Sequence, residues 1–139
     1  MSLADLLRRH IDRTELLSLL QELVRIPSVT GSEDAAQERI ARRLAELGGE
    51  VDAWRPDLEA LRAQPGFPGA RVLDARLNVA ASFRGTEPGP TLVLNGHMDT
   101  VTAGDEGRWK HPPFGGEVAD GSVYGRGAAD MKGGLSAML

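Results

Sequence analysis

The feature that most constrains this chain is a short, nearly continuous apolar run at residues 91–94, Thr-Leu-Val-Leu, that gives way at once to Asn95, Gly96, His97, Met98 and Asp99. Such a run reads as a central strand covered on both faces. The polar residues at its carboxyl end then stand where ligand sites of α/β sheets form. His97 and Asp99 have the same parity, so in extended backbone they leave on one side, and the carboxylate can accept an imidazole N–H. That is how a metal-binding His is held in one tautomer. It is equally the pairing of a polar strand end satisfied by hydrogen bonds.

The flanking sequence supplies helices to cover such a sheet. Leu16, Leu19, Leu20 and Leu23 recur at helical spacing behind a capping box of Asp12 and Glu15, and Pro27 stops the helix. This stripe reads as core. A second helix is announced by Thr30, Ser32 and Glu33, carries Ala36, Ile40, Leu44 and Leu47 on one face, and ends at Gly48 and Gly49. Residues 51–54 read as a short strand, and Pro56 with Asp57 opens a helical turn or two through Leu61. Residues 64–69 form a loop. From Leu77 the residues Val79, Ala81 and Phe83 alternate with Asn78, Ala80 and Ser82, as in a strand with one more buried face. Residues 85–90 make a turn, 104–121 a long loop rich in Gly, Pro and charge, and Val123 with Tyr124 a brief strand. A last helix begins near Asp130 and runs through Leu135. The pattern predicts an α/β fold, a central mixed β-sheet flanked by helices. Its final residues, Ser136 to Leu139, hold no Gly, Asn or basic residue to close that helix, which reads as a cut in a truncated domain.

Composition removes several function classes. The 139 residues carry a formal net charge of -4, with no basic stripe to neutralise phosphates, so nucleic acid and anionic membranes are poor partners. No segment reaches the roughly 20 apolar residues of a membrane span. The opening residues carry Asp5 and lack the apolar run of a signal peptide, so a cytoplasmic location is the expectation. The absence of Cys excludes a thiolate nucleophile and any Cys-ligated zinc. A metal would have to use His and carboxylates.

A second cluster runs through Tyr124, Gly125, Arg126, Gly127, Ala128, Ala129, Asp130, Met131, Lys132, Gly133 and Gly134. Asp130 sits where a Gly-rich loop meets a helix, the place of an N-cap. The spacing fits neither Gly-x-Gly-x-x-Gly nor a Lys followed by Ser or Thr, which disfavours a nucleotide site.

Taken together, residues 94–101, Trp109, Pro113, Phe114, Asp120-Gly121, Tyr124-Gly125-Arg126-Gly127 and Asp130-Met131-Lys132-Gly133-Gly134 resemble the M20 metallopeptidase family, of the deacetylase, desuccinylase, aminoacylase and carboxypeptidase type. The resemblance extends to residues 23–29 and to Asn78-Val79. It implies a zinc-peptidase-like catalytic domain with two divalent metals, Zn2+ or alternatively Co2+ or Mn2+, that activate a water against an amide bond. Carried over residue by residue, it makes His97 a ligand of one metal, Asp130 the bridging carboxylate and Asp99 the partner that orients His97. It also implies a cis peptide between Asp130 and Met131. The substrate class it implies is an N-acyl amino acid or small peptide, and Arg55-Pro56-Asp57 with Phe67-Pro68-Gly69 most resembles the acetylornithine deacetylase and desuccinylase branch. The family's adjacent Glu pair, further carboxylate and final His are not in this sequence. Residues 1–139 then correspond to the N-terminal part of the metal-binding catalytic domain, without the smaller domain that often mediates dimerisation. The expectation is a chain inactive alone, poorly soluble and weak in metal binding, whose parent is a homodimer or which pairs with a complementing polypeptide. A non-catalytic remnant is the reading from another class.

Other residues receive structural roles. His111 is expected to face solvent from its loop, and His10 likewise. Trp109 and Phe114 anchor the loop or line a pocket, and Arg126 pairs within the loop.

Overall fold

A computed structural model describes residues 2–67 and 76–139. Helix α1, Leu3–His10, is closed by a capping box in which Ser2 and Asp5 bond reciprocally. Helix α2, Arg13–Arg25, starts where Asp12 accepts from the Thr14 and Glu15 amides. Glu15 does not complete the expected box, because its carboxylate reaches Arg43 instead. Helix α3, Asp34–Glu46, has Glu33 at its N-cap, and the Glu33 carboxylate folds back onto the Gly31 amide and Arg76.

These helices are amphipathic, and their apolar stripes meet. Leu19 and Leu23 of α2, Ala36 and Ile40 of α3, and Met98 form the buried core, with Ile26, Leu44, Leu135 and Leu139 packed around it. Leu47 falls outside that face and stays exposed.

Strand β1, Glu50–Trp54, pairs antiparallel with β2, Asn78–Ser82, in the register Val51 opposite Ala81, and the pair packs on α3. The short helix α4, Leu58–Arg62, is capped by Asp57. Pro68 and Gly69, the end of the expected loop and part of the branch resemblance, lie outside the described residues. A second antiparallel pair joins β3, Glu117–Ala119, to β4, Ser122–Tyr124. Asp120 and Gly121 connect them with φ of 50° and 74°, the two positive values of a tight hairpin turn. The expected long loop therefore ends in a hairpin, after one 3-10 turn at Glu106–Arg108. Helix α5, Gly133–Met138, follows a kinked segment, Ala128–Lys132.

The expected central sheet is corrected in one respect. Residues 91–94 form no strand, and Leu92, Val93 and Leu94 are 81%, 77% and 60% exposed. Extended backbone becomes a strand only beside a partner, and among the described residues β1 and β2 pair with each other, as do β3 and β4. The architecture is thus helices with two small antiparallel sheets, compatible with part of an α/β domain.

Candidate functional site

The segment after the apolar run is extended and alternates as its sequence parity predicts. Met98 and Thr100 are buried, while His97 and Asp99 emerge on the other side. What fixes it is the stretch that follows α2. Ser28 Oγ donates to the Met98 carbonyl at 2.8 Å, the Thr100 amide donates to Ser28 O at 2.8 Å, and the Thr30 amide donates to Thr100 O at 3.0 Å. Val29 and Thr100 thereby form a parallel bridge. The same stretch reaches the site itself, because Thr30 Oγ1 donates to Asp99 Oδ2 at 2.7 Å.

Asp130 arrives from the opposite direction, on the kinked segment before α5. Its own φ and ψ are -131° and 97°, far from helical, so the helix expected from Asp130 begins three residues later at Gly133. The Asp130–Met131 peptide is cis, as the resemblance implies. Gly127 makes the approach possible: its φ is 78°, and a Cβ there would lie 2.4 Å from Thr100 Cγ2.

The two paths converge on one imidazole. Nδ1 of His97 lies 3.1 Å from Asp99 Oδ1, and Nε2 lies 2.9 Å from Asp130 Oδ1. The Asp130 carboxylate foremost, then Asp99, raise the His97 pKa above its ordinary value against the opposing loss of hydration. The Thr30 hydroxyl, and after it His97, lower the pKa of Asp99 against partial burial. These groups open onto a cavity of about 300 Å³ whose other walls include Val101, Gly125, Arg126 and Ala128. The donors, an imidazole nitrogen and a carboxylate oxygen, are hard-to-borderline ligands of the kind a zinc-class cation takes. Among the described residues no group of three or more His, Cys, Asp or Glu is placed to hold an ion. The hydrogen-bond distances nonetheless bring His97, Asp99 and Asp130 together, with two converging donors and a carboxylate against the other ring nitrogen.

Two residues near this site carry roles the sequence reading did not assign. Thr30, expected at a helix start, instead holds Asp99. Lys132 is fully buried, with Nζ donating to the Leu23 carbonyl at 2.8 Å and the Ile26 carbonyl at 2.9 Å, so it ties the segment behind Asp130 to the end of α2. Burial pushes its pKa down to about 8. Its place two residues after the candidate carboxylate was visible, but nothing in the pattern marked a buried ammonium.

The loop residues depart from expectation more sharply. His111 does not face solvent: its side chain is 14% exposed, with Nδ1 2.7 Å from Glu117 Oε2 and its ring stacked 4.1 Å from Tyr124. The hairpin carrying Glu117 and Tyr124, missed in the sequence, supplies both partners. Trp109 is an anchor, its indole N–H donating to Ala103 O at 2.9 Å. Arg126 finds no carboxylate among the described residues, and its guanidinium lies over the Trp109 ring. His10 is exposed. No helix among the described residues is long and apolar enough to cross a membrane.

Known proteins are similar to this chain in sequence. Residues 93–139 match the family described as Peptidase family M20/M25/M40. The chain is 46% identical over 123 residues to the succinyl-diaminopimelate desuccinylase of Methylorubrum extorquens (strain PA1), covering 88% of this chain and 28% of that protein. Proteins of the same name from Methylobacterium radiotolerans and Methylobacterium nodulans are 45% and 43% identical, over 88% of this chain and 28% and 27% of their own lengths. The chain thus spans little more than a quarter of the relatives it matches.

Proposed function

Because the chain belongs to the M20 peptidase family, we propose that it forms part of a divalent-metal centre that hydrolyses the amide bond of an N-acyl amino acid, N-succinyl amino acids first among them. The observation that carries this reading is the His97 ring, which meets a carboxylate at each nitrogen, Asp99 at 3.1 Å and Asp130 at 2.9 Å. One carboxylate suffices to fix a tautomer. A second, on Nε2, suits a place where a cation replaces the proton.

In this reading the chain of positioning runs from Thr30 to Asp99 to His97. The Thr30 hydroxyl holds one Asp99 oxygen, the other accepts the Nδ1 proton, and the Nε2 lone pair is aimed toward Asp130. Asp99 is a positioning residue, while His97 Nε2 and the Asp130 carboxylate are the donors. When bound, a pair of zinc-class ions supplies polarisation of the amide carbonyl and acidifies a water. Any proton shared at Nε2 with Asp130 gives way to a cation there, while Asp99 keeps the proton on Nδ1. Zinc takes three or four protein ligands as a rule. The remaining donors then come from polypeptide outside these residues, either more of one chain or a complementing subunit, and these 139 residues alone bind zinc weakly without turnover.

The test is a calorimetric zinc titration of the chain beside His97→Ala and Asp130→Ala, with hydrolysis of N-succinyl amino acids followed on the same samples. Weak binding lost in both variants is the expected result. Identical binding by all three proteins would take His97 and Asp130 out of any metal site and end this reading. Tight binding with turnover would show instead that these residues complete the site themselves.

A further inference from the structure

The cavity beside His97 and Asp130 has one lysine or arginine in its wall, Arg126. Several arginines elsewhere in the chain have carboxylate partners: Arg39 with Glu22, Arg43 with Glu15, Arg76 with Glu33. Arg126 has none among the described residues. Its Nε is sealed from solvent without a hydrogen-bond partner among the described residues. What holds the side chain is the Trp109 ring, 4.9 Å from the guanidinium carbon to the centroid, and that indole is in turn fixed by Ala103. The backbone is pinned as well, the Arg126 amide donating to Pro113 O at 2.6 Å. A half-buried guanidinium held by an aromatic face, with its two Nη groups uncommitted among the described residues, suits a planar anion, and a carboxylate matches that pair with two parallel hydrogen bonds.

We infer that Arg126 is a specificity-determining residue that grips a carboxylate of the substrate while the scissile amide lies against His97 and Asp130. The inference rests on the amide-hydrolysis reading and adds to it the residue that would hold a carboxylate of the N-acyl amino acid. Two carboxylates of such a molecule share this chemistry, the one at the far end of a dicarboxylic acyl group and the α-carboxylate of the amino acid.

The test uses Trp109 as the reporter, in the 139-residue chain carrying Trp54→Phe, which leaves it the sole indole. Fluorescence is followed at constant ionic strength on adding N-succinylglycinamide, N-acetylglycine or the uncharged N-acetylglycinamide. A saturable change with a carboxylate-bearing probe and none with the neutral amide is expected, and the probe that saturates identifies which carboxylate is held. Arg126→Gln should weaken that binding about 10- to 100-fold, with Arg126→Lys between, since the ammonium keeps charge but loses the fork. An equal response to the neutral amide, or unchanged affinity in Arg126→Gln, overturns the inference. If near-UV circular dichroism shows Arg126→Gln unfolded, Arg126→Lys decides, and unchanged affinity there overturns it too. His97→Ala separates the two readings. Zinc binding indifferent to His97 beside an Arg126-dependent carboxylate response would end the hydrolytic reading and leave the carboxylate site standing. The converse pattern would end this inference alone.

Discussion

Lys132 enters the core with no exposed surface and with both of its hydrogen bonds directed at carbonyls near the end of α2. Its pKa falls from the ordinary 10.5 to about 8 because burial disfavours the ammonium. A neutral amine still donates N–H, so deprotonation leaves neither carbonyl orphaned. Below the folded value both folded and unfolded chains carry the proton, and the folded state bears the whole cost of the buried charge. Between the two values the unfolded chain holds a proton that the folded chain has released, so stability rises with pH in that window. Each unit is worth about 1.4 kcal/mol, which makes the gain on the order of 2 to 3 kcal/mol between about pH 7 and pH 10. The assay is urea denaturation of the EDTA-treated chain across this range, beside Lys132→Met, which keeps the apolar stem and cannot titrate. Loss of the two donated bonds lowers the variant's stability equally at every pH, so the difference in slope isolates the ammonium. Lys132 and Lys110 are the only lysines in the sequence, so carbon-13 labelling at Cε gives two resonances and reads the midpoint directly. Parallel pH profiles for the two proteins, or a Lys132 resonance that titrates near its ordinary value, would refute the reasoning.

Other expectations follow from the same geometry. Thr30→Val removes the hydroxyl that bonds Asp99 at 2.7 Å, and zinc affinity measured by calorimetry should fall roughly 10-fold with little change in stability. Gly127→Ala sets a methyl 2.4 Å from Thr100 Cγ2 at a φ of 78° and should destabilise the chain by about 1–3 kcal/mol in urea, with unaltered stability arguing against the close approach. Asp12→Ala frees the Thr14 and Glu15 amides and should cost about 1 kcal/mol by the same assay. Leu92→Lys with Val93→Thr should reduce self-association in sedimentation velocity, because those side chains are 81% and 77% exposed on unpaired extended backbone.

The parts legible in the sequence are those decided locally. Asp12 and Asp57 cap helices because an Asp side chain reaches the amides two and three residues on, whatever surrounds it. The α2 and α3 stripes became core because helical spacing gathers their apolar residues on one face. Parity placed His97 and Asp99 on one side, and the family resemblance supplied Asp130 and the cis peptide, which no spacing argument reaches. The misreadings turned on partners elsewhere in the chain. Residues 91–94 have the composition of a strand, but pairing is a property of two segments. His111 looked solvent-facing because its carboxylate partner Glu117 lies on a strand hidden in a loop-like stretch, although Asp120-Gly121 signals the hairpin that pairs it with the strand of Tyr124. Thr30 and Lys132 act across the fold, and a single local window contains neither of their partners.

That remoteness bears on the order in which the molecule assembles. The contacts that make the site join residues 70 positions apart at Ser28 and Met98, 69 at Thr30 and Asp99, 33 at His97 and Asp130, and 109 at Lys132 and Leu23. Closing such distances costs chain entropy before any contact returns it, whereas α2 and α3 form from neighbours. During synthesis the two helices emerge and can collapse long before Asp130 leaves the ribosome. His97 therefore waits with one carboxylate in reach until Asp130, 33 positions further along, has emerged.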